Sequence, residues 1–175
     1  MELIISLTIN GLATGMLIFL LAAGVTLIFG LMDVLNFAHG GFFVWGAYTG
    51  IFAYAFTESF TIGIIIALLT GAILGFITEK LIITPVYGNH VQQILITLGL
   101  MIVLSECIKV VFGPNGIPVS VPPLLAGSWE VGNIIIIKYR IFIIVIGFII
   151  YGLFHYILTR TKIGLIVRAG VMNKE

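Results

Sequence analysis

The sequence predicts an all-α fold: a polytopic transmembrane helix bundle of about five spans, followed by a short basic segment at the C-terminus. Three observations predict it. First, 61% of the 175 residues are hydrophobic and only 9% are charged, against about 25% charged in an ordinary soluble domain. Fifteen charges, eight Lys or Arg and seven Asp or Glu, do not cover the surface of a soluble protein, and the apolar area left bare would aggregate in water. Second, the chain has 21 glycines, the residue that lets membrane helices approach closely. Third, the charges leave uncharged stretches of spanning length between them. The same numbers exclude a disordered chain and a disulfide-built secreted domain. A net charge of +1 offers no basic face, so nucleic acid is excluded as a partner. One cysteine cannot form an internal bridge.

A helix needs roughly 20 apolar residues to cross the hydrocarbon core. Each charge costs a few kcal/mol at the centre of a span, so charges mark span ends. The first span is expected at about 3–32, between Glu2 and Asp33. The second follows at 34–57, before Glu58, and the third at 60–78, before Glu79 and Lys80. The fourth is expected at 92–112, with Glu106 and Lys109 in its last turns, and the fifth at 141–158, after Lys138 and Arg140. Residues 1–159 then form the membrane region and 160–175 a separate segment. A cleaved signal peptide does not fit the first stretch, which carries Glu2, lacks Lys and Arg, and is too long for a signal core.

Orientation follows from Lys and Arg. Arg160, Lys162, Arg168 and Lys174 follow the fifth span, which places the C-terminus in the cytoplasm and, with five spans, the N-terminus outside. Lys80 then falls inside, while Lys138 runs against the rule. The outer loop contains four prolines in the eleven residues from Gly113 to Pro123. Proline lacks an N–H and restricts the residue before it, so this loop is extended or turn-rich. Trp129 suits the headgroup level.

Three glycine pairs fall four residues apart and so share a helix face: Gly11 with Gly15, Gly46 with Gly50, and Gly71 with Gly75. Their expected role is helix packing within one fold. No internal repeat, flexible linker or soluble domain is visible.

The most unusual stretch is Asp33-Val-Leu-Asn-Phe-Ala-His-Gly-Gly41. It sets Asp33, Asn36 and His39 at spacings of three, and Asn36 and His39 share a face if the segment is helical. Two readings stand. Asp33 and Asn36 cap a helix start while His39 bonds a neighbouring backbone, or Asn36 and His39 line a path, since polar groups at membrane depth point to function. Gly40 and Gly41 allow a bend or close backbone contact. Gln92, Gln93 and Thr97 make a polar opening to the fourth span, at a cavity or at the headgroups. Glu106 and Lys109, three apart, are expected to pair along one face. Cys107 reads as a buried small apolar residue.

Enzyme chemistry finds no support. His39, His90 and His155 are far apart, and no His-Glu-x-x-His or Cys-x-x-Cys spacing indicates a metal. No Gly-x-Ser-x-Gly nucleophile setting occurs, and Asp33 is the only aspartate, which excludes a paired-aspartate site within the chain. No cofactor is expected. The basic tail 159–175 places Ile163, Ile166, Val167 and Gly170 on one face, as an interfacial amphipathic helix or a helix docking a cytoplasmic partner.

The stretches Asn10-Gly11, Gly24-Val-Thr-Leu-Ile-Phe-Gly30, Leu35-Asn-Phe-Ala-His-Gly40, Gly46-Ala-Tyr48 and Leu95-Ile-Thr-Leu-Gly99 together resemble the branched-chain amino-acid permeases of bacterial ABC transporters. The tail spacing Gly164-x-x-x-Arg168-Ala169-x-x-x-Asn173-x-Glu175 resembles them as well. The resemblance covers nearly the whole chain, with Gly41 standing where the family usually has an acidic residue. It implies a permease subunit of an ATP-driven importer of branched-chain amino acids, working by alternating access. Its partners would be a second permease subunit, two cytoplasmic ATPase subunits and an extracytoplasmic binding protein. Asn36, His39, Gly40 and Thr97 would lie on the substrate pathway, and Gly164, Arg168, Ala169, Asn173 and Glu175 in the segment coupled to the ATPases. The chain has no Gly-x-x-x-x-Gly-Lys-[Ser/Thr] loop, so ATP hydrolysis would belong to those partners. The family continues for several further spans, so the chain resembles the N-terminal part of a permease. Urea or short-chain amide permeases are a related branch, and a truncated, non-transporting membrane protein is the reading from a different class.

Overall fold

The computed structural model describes residues 2–117, 119, 121–132, 134–162 and 164–165. The chain divides into two units, 1–31 with 120–175, and 32–119. The first is built from α1 (Glu2–Met32), a β-hairpin of β1 (Ser128–Val131) and β2 (Ile134–Ile137), and α5 (Lys138–Arg160). The second holds α2 (His39–Thr57), α3 (Phe60–Thr78) and α4 (His90–Phe112).

In the first unit, α1 runs 31 residues and, at 1.5 Å per residue, is about 46 Å long. Its threonines do not interrupt it, because Thr8, Thr14 and Thr26 each return their hydroxyl to the carbonyl four residues back, at 2.7–3.0 Å. That satisfies the hydroxyl where water is absent. Met16 of α1 meets Gly147 of α5, where an added Cβ would come within 2.9 Å of the methionine side chain. One turn on, the rings of Phe19 and Tyr151 meet edge to face at 5.7 Å.

The expected extended loop contains a hairpin that the proline pattern hid. Ser128 pairs Ile137 and Val131 pairs Ile134 in antiparallel register. The signal was a run of β-branched Ile134–Ile137 following Gly132-Asn133, a two-residue turn sequence. Gly132 takes φ +65°, the conformation that glycine adopts without strain. Lys138 lies over the Trp129 ring at 5.9 Å.

The second unit is closed by short links. At its first turn, α2 and α3 are separated by Glu58 and Ser59 alone. Glu58 takes φ +53° and donates its N–H to the Tyr54 carbonyl at 2.8 Å, while the Ser59 hydroxyl accepts from Ile62 N–H and starts α3. Beyond Thr78 the helix widens into a π turn, Glu79–Ile83, then tightens into a 3₁₀ turn, Thr84–Val86. Pro85 cannot donate to a continuing ladder, and the Thr84 hydroxyl bonds the Glu79 carbonyl five residues back at 2.8 Å. α4 is then started by Asn89, whose side chain accepts from Gln92 N–H at 3.1 Å.

Among the described residues, four stretches are long and apolar enough to cross a membrane by length and composition: Leu3–Gly30, Phe60–Val86, His90–Phe112 and Lys138–Arg160. α2 is not among them. Its 19 residues include His39, Gly40, Gly41, Gly46 and Gly50 as well as Trp45, Tyr48 and Tyr54, which make it less apolar by hydropathy than those four stretches. The expected second span begins at 34, yet the helix begins at His39. Asp33 ends α1 at φ +55°, and residues 33–36 are not helical. Asn36 therefore lies outside the helix that carries His39, and the two do not share a helix face.

Large apolar side chains point outward from both units. Leu3, Leu68, Phe76, Leu81 and Val110 are each more than 60% exposed. The buried apolar set among the described residues is small by comparison: Ala13, Val34, Ala38, Phe42, Ile83 and Ile108. A chain with so little apolar interior and so much apolar exterior is arranged for lipid or for further helices rather than for water. Cys107, expected to be buried, is exposed.

Candidate functional site

The polar groups of the second unit gather where the link 33–38 meets the start of α4. The local turn is made by Asn36. Its side-chain oxygen accepts from Ala38 N–H at 3.0 Å, and its carbonyl accepts from His39 N–H at 3.4 Å. This side-chain turn substitutes for the missing helical bonds and delivers the chain into α2. The link is anchored at Val34 and Ala38, which are 1% and 0% exposed.

Two side chains from α4 take up the backbone that the turn leaves over. Gln93 is 1% exposed and Thr97 0%. The Gln93 side-chain oxygen accepts from Leu35 N–H at 3.4 Å, and its amide donates to the Val86 carbonyl at 3.3 Å. Gln93 thus joins the link before α2 to the link before α4. The Thr97 hydroxyl donates to the Gln93 carbonyl at 2.7 Å and accepts from Phe37 N–H at 3.2 Å. A spacing of four puts both side chains on one face of α4. Among the described residues, every buried side-chain polar atom has a hydrogen-bond partner. Irregular backbone is tolerated in a membrane protein when it is satisfied in this way.

The surrounding groups close the same end. Asp33 and His90 face each other at 3.6 Å, each about half exposed, a geometry worth little in stability. The Tyr87 hydroxyl donates to the Glu79 carboxylate. Partial burial, then the hydrogen bond and negative charge of Glu79, push the Tyr87 phenol up to about 12, so it remains a donor through the physiological range. The His39 ring is half-buried and lies edge to face with Phe42 at 6.4 Å. Gly40 has open space where a Cβ would stand, whereas a Cβ on Gly41 would reach Leu104 at 3.0 Å.

Glycines set how closely the helices lie. A Cβ at Gly46 would come within 3.0 Å of the Ala67 carbonyl, and one at Gly50 within 2.9 Å of the Gly63 carbonyl. The seam is reciprocal, because a Cβ at Gly63 would stand 2.9 Å from the Gly50 carbonyl. Thr49 and Thr70 bond across it at 3.0 Å. By contrast, Gly11, Gly15, Gly71 and Gly75 have no atom within 4 Å of an added Cβ among the described residues. On the α4 side, the Trp45 ring N–H donates to the Leu104 carbonyl at 2.9 Å. The Phe112 ring packs against Trp45, Tyr48 and Phe52 at 5.1–6.0 Å. Glu106 and Lys109 pair at 2.6 Å on an exposed face.

Elsewhere, a groove of about 580 Å³ lies between α1 and α5, lined mainly by apolar side chains with Thr26 and His155 among them. Of the tail residues, Gly164 is described. Its N–H donates to the Thr161 hydroxyl at 3.3 Å, and a Cβ there would overlap the Leu158 carbonyl. Arg168, Ala169, Asn173 and Glu175 lie outside the described residues. No three His, Cys, Asp or Glu side chains gather to hold a metal among the described residues.

Sequence reasoning missed the bridging role of Gln93, the Trp45 bond to Leu104, and Gly63 as the partner of Gly50. The first had a signal in the Gln93-x-x-x-Thr97 spacing. The others depend on which helix lies opposite, which spacing within one helix does not encode.

A family model described as "Branched-chain amino acid transport system / permease component" matches residues 7–175. Among curated proteins, the chain is similar to the high-affinity branched-chain amino acid transport system permease protein BraD of Pseudomonas aeruginosa, at 27% identity over 92% of this chain and 57% of that protein. It is also similar to the corresponding permease protein LivH of Salmonella typhimurium, at 28% identity over 71% of this chain and 43% of the relative. LivH of Escherichia coli K12 is 27% identical over the same shares, 71% and 43%. The chain spans about half the length of the curated relatives it matches. No solved structure matches it.

Proposed function

The chain belongs to the family of permease components of branched-chain amino acid transport systems, and on that premise we propose that it forms part of the membrane path of an ATP-driven importer for branched-chain amino acids. The observation that carries the reading is the family match across residues 7–175. The relatives' names supply the substrate class, and the helices supply the medium.

In this reading residues 1–159 form the membrane region with five spans, the N-terminus outside and the C-terminus in the cytoplasm. α2 completes the count, since its 19 residues rise about 28 Å, close to the roughly 30 Å hydrocarbon core. Asn36, His39, Gly40 and Thr97 stand at or beside the pathway. Asn36 and Thr97 shape the link, and His39 with Gly40 opens α2. A second permease subunit completes the path and an extracytoplasmic binding protein delivers the amino acid. Two ATPase subunits bind the segment 160–175, where Gly164, Arg168, Ala169, Asn173 and Glu175 lie. ATP binding moves that segment, and the spans exchange which side is open. No covalent step falls to this chain.

Substrate competition tests the reading. In proteoliposomes carrying the assembled complex, excess isoleucine or valine is expected to suppress uptake of labelled leucine, and excess urea is expected to leave it unchanged. Suppression by urea with no effect of isoleucine or valine would move the chain to the urea and amide branch. Failure of the ATPase subunits to co-purify with the chain would favour a non-transporting membrane protein.

A further inference from the structure

An alternating-access cycle requires some helices to slide or rock past others. Regions that move are those with few buried contacts and weakly protected backbone bonds. The contact between the link 33–38 and α4 has the opposite character. Gln93 and Thr97 are fully buried and hold Leu35 N–H, Phe37 N–H and the Val86 carbonyl. Parting them would leave three part-buried backbone groups, set against the fully buried Gln93 and Thr97, without their partners, at a cost for each. A few residues on, Trp45 is bonded to the backbone of α4 and Gly41 rests on Leu104. On the other side of α2, Gly46 and Gly50 meet Ala67 and Gly63 of α3 with no room for a Cβ.

Resting on the transport reading above, we propose that Gln93 is a positioning residue for transport. Its side-chain amide keeps the link 33–38 joined to α4 at every stage of the cycle, so that α2, α3 and α4 move as one body. Motion then occurs around this body and not within it.

A reversible tether tests this directly. A Cβ at position 41 lies 3.4 Å from the Leu104 Cβ, close to the roughly 3.5–4.5 Å spacing of disulfides. Gly41→Cys with Leu104→Cys, in a Cys107→Ser background, is reconstituted as the assembled complex in proteoliposomes. Leucine uptake is expected to be the same with the pair oxidised and reduced. Uptake lost on oxidation and regained on reduction would overturn the proposal, because α2 and α4 would then have to part. Gln93→Leu is expected to lower the maximal uptake rate while leaving the leucine concentration for half-maximal uptake unchanged, and the oxidised pair is expected to restore the rate. No restoration would overturn the positioning role.

Absence of leucine uptake in the parent complex defeats the transport reading and leaves this proposal to a second measurement. Amide hydrogen exchange at Leu35 and Phe37 is expected to be equally slow with and without ATP. Exchange that rises on the order of tenfold with ATP shows the link opening, and overturns the proposal.

Discussion

Thr97 shows how a small polar residue is used in an apolar bundle. Its one hydroxyl proton goes to the Gln93 carbonyl and its oxygen receives Phe37 N–H, so it both satisfies its own helix and holds the link. Thr97→Val keeps the shape and removes the acceptor, leaving the part-buried Phe37 N–H unpaired at a cost of up to about 1–3 kcal/mol. Thr97→Ser keeps the acceptor. Thermal unfolding of the purified protein in detergent is expected to show a clear loss for Val and little change for Ser. His39 is half-buried against Phe42, and His39→Ala is expected to reduce uptake in the assembled complex while the protein still reaches the membrane. Unchanged uptake would remove His39 from the pathway. The helix cap expected of Asn36 is replaced by a side-chain turn, since α2 has Ala38 at its N-cap with no side-chain cap bond. Legible in the sequence were the polar types and the polar opening that Gln92, Gln93 and Thr97 make to the fourth span. Their partners were not, because Leu35 and Phe37 enter through backbone N–H groups that every residue except proline carries.

At the scale of elements, the charges bracketed the helices in the sequence, while their caps were found only in the structure. The helices at Phe60–Thr78 and His90–Phe112 start within two residues of the charge-based boundaries, since Ser59 and Asn89 cap them. Two elements were not readable. The break at 33–38 is set by long-range bonds from α4, and the hairpin 128–137 was hidden behind the prolines that precede it. The glycine pairs look alike in sequence but differ in surroundings. Gly50 lies 2.9 Å, measured from an added Cβ, from Gly63 and Ala67, while Gly71 faces open space. Gly50→Ala is therefore expected to force the helices apart at about 1–3 kcal/mol. Gly71→Ala is expected to gain up to about 1 kcal/mol from helix propensity. Melting of the two variants in the same detergent checks the opposite signs.

At the scale of the molecule, each unit exposes many large apolar side chains among the described residues. This is a multi-pass membrane protein of a permease family. Composition alone made that class legible, because nine charged residues in a hundred leave no other solvent for the surface. The path itself was not legible, since under the proposed function it is shared with helices outside this chain. The proposed coupling role of the tail has its own test: Arg168→Glu is expected to leave the protein in the membrane and ATP hydrolysis measurable while leucine uptake falls. Uptake unchanged by Arg168→Glu would remove the residue from coupling. The central claim is that the chain belongs to a working import path. Its most direct measurement is leucine accumulation by proteoliposomes that contain the chain assembled with its permease and ATPase partners. The account predicts accumulation that requires both ATP and the external binding protein. A fully assembled complex that hydrolyses ATP and accumulates no branched-chain amino acid would contradict it.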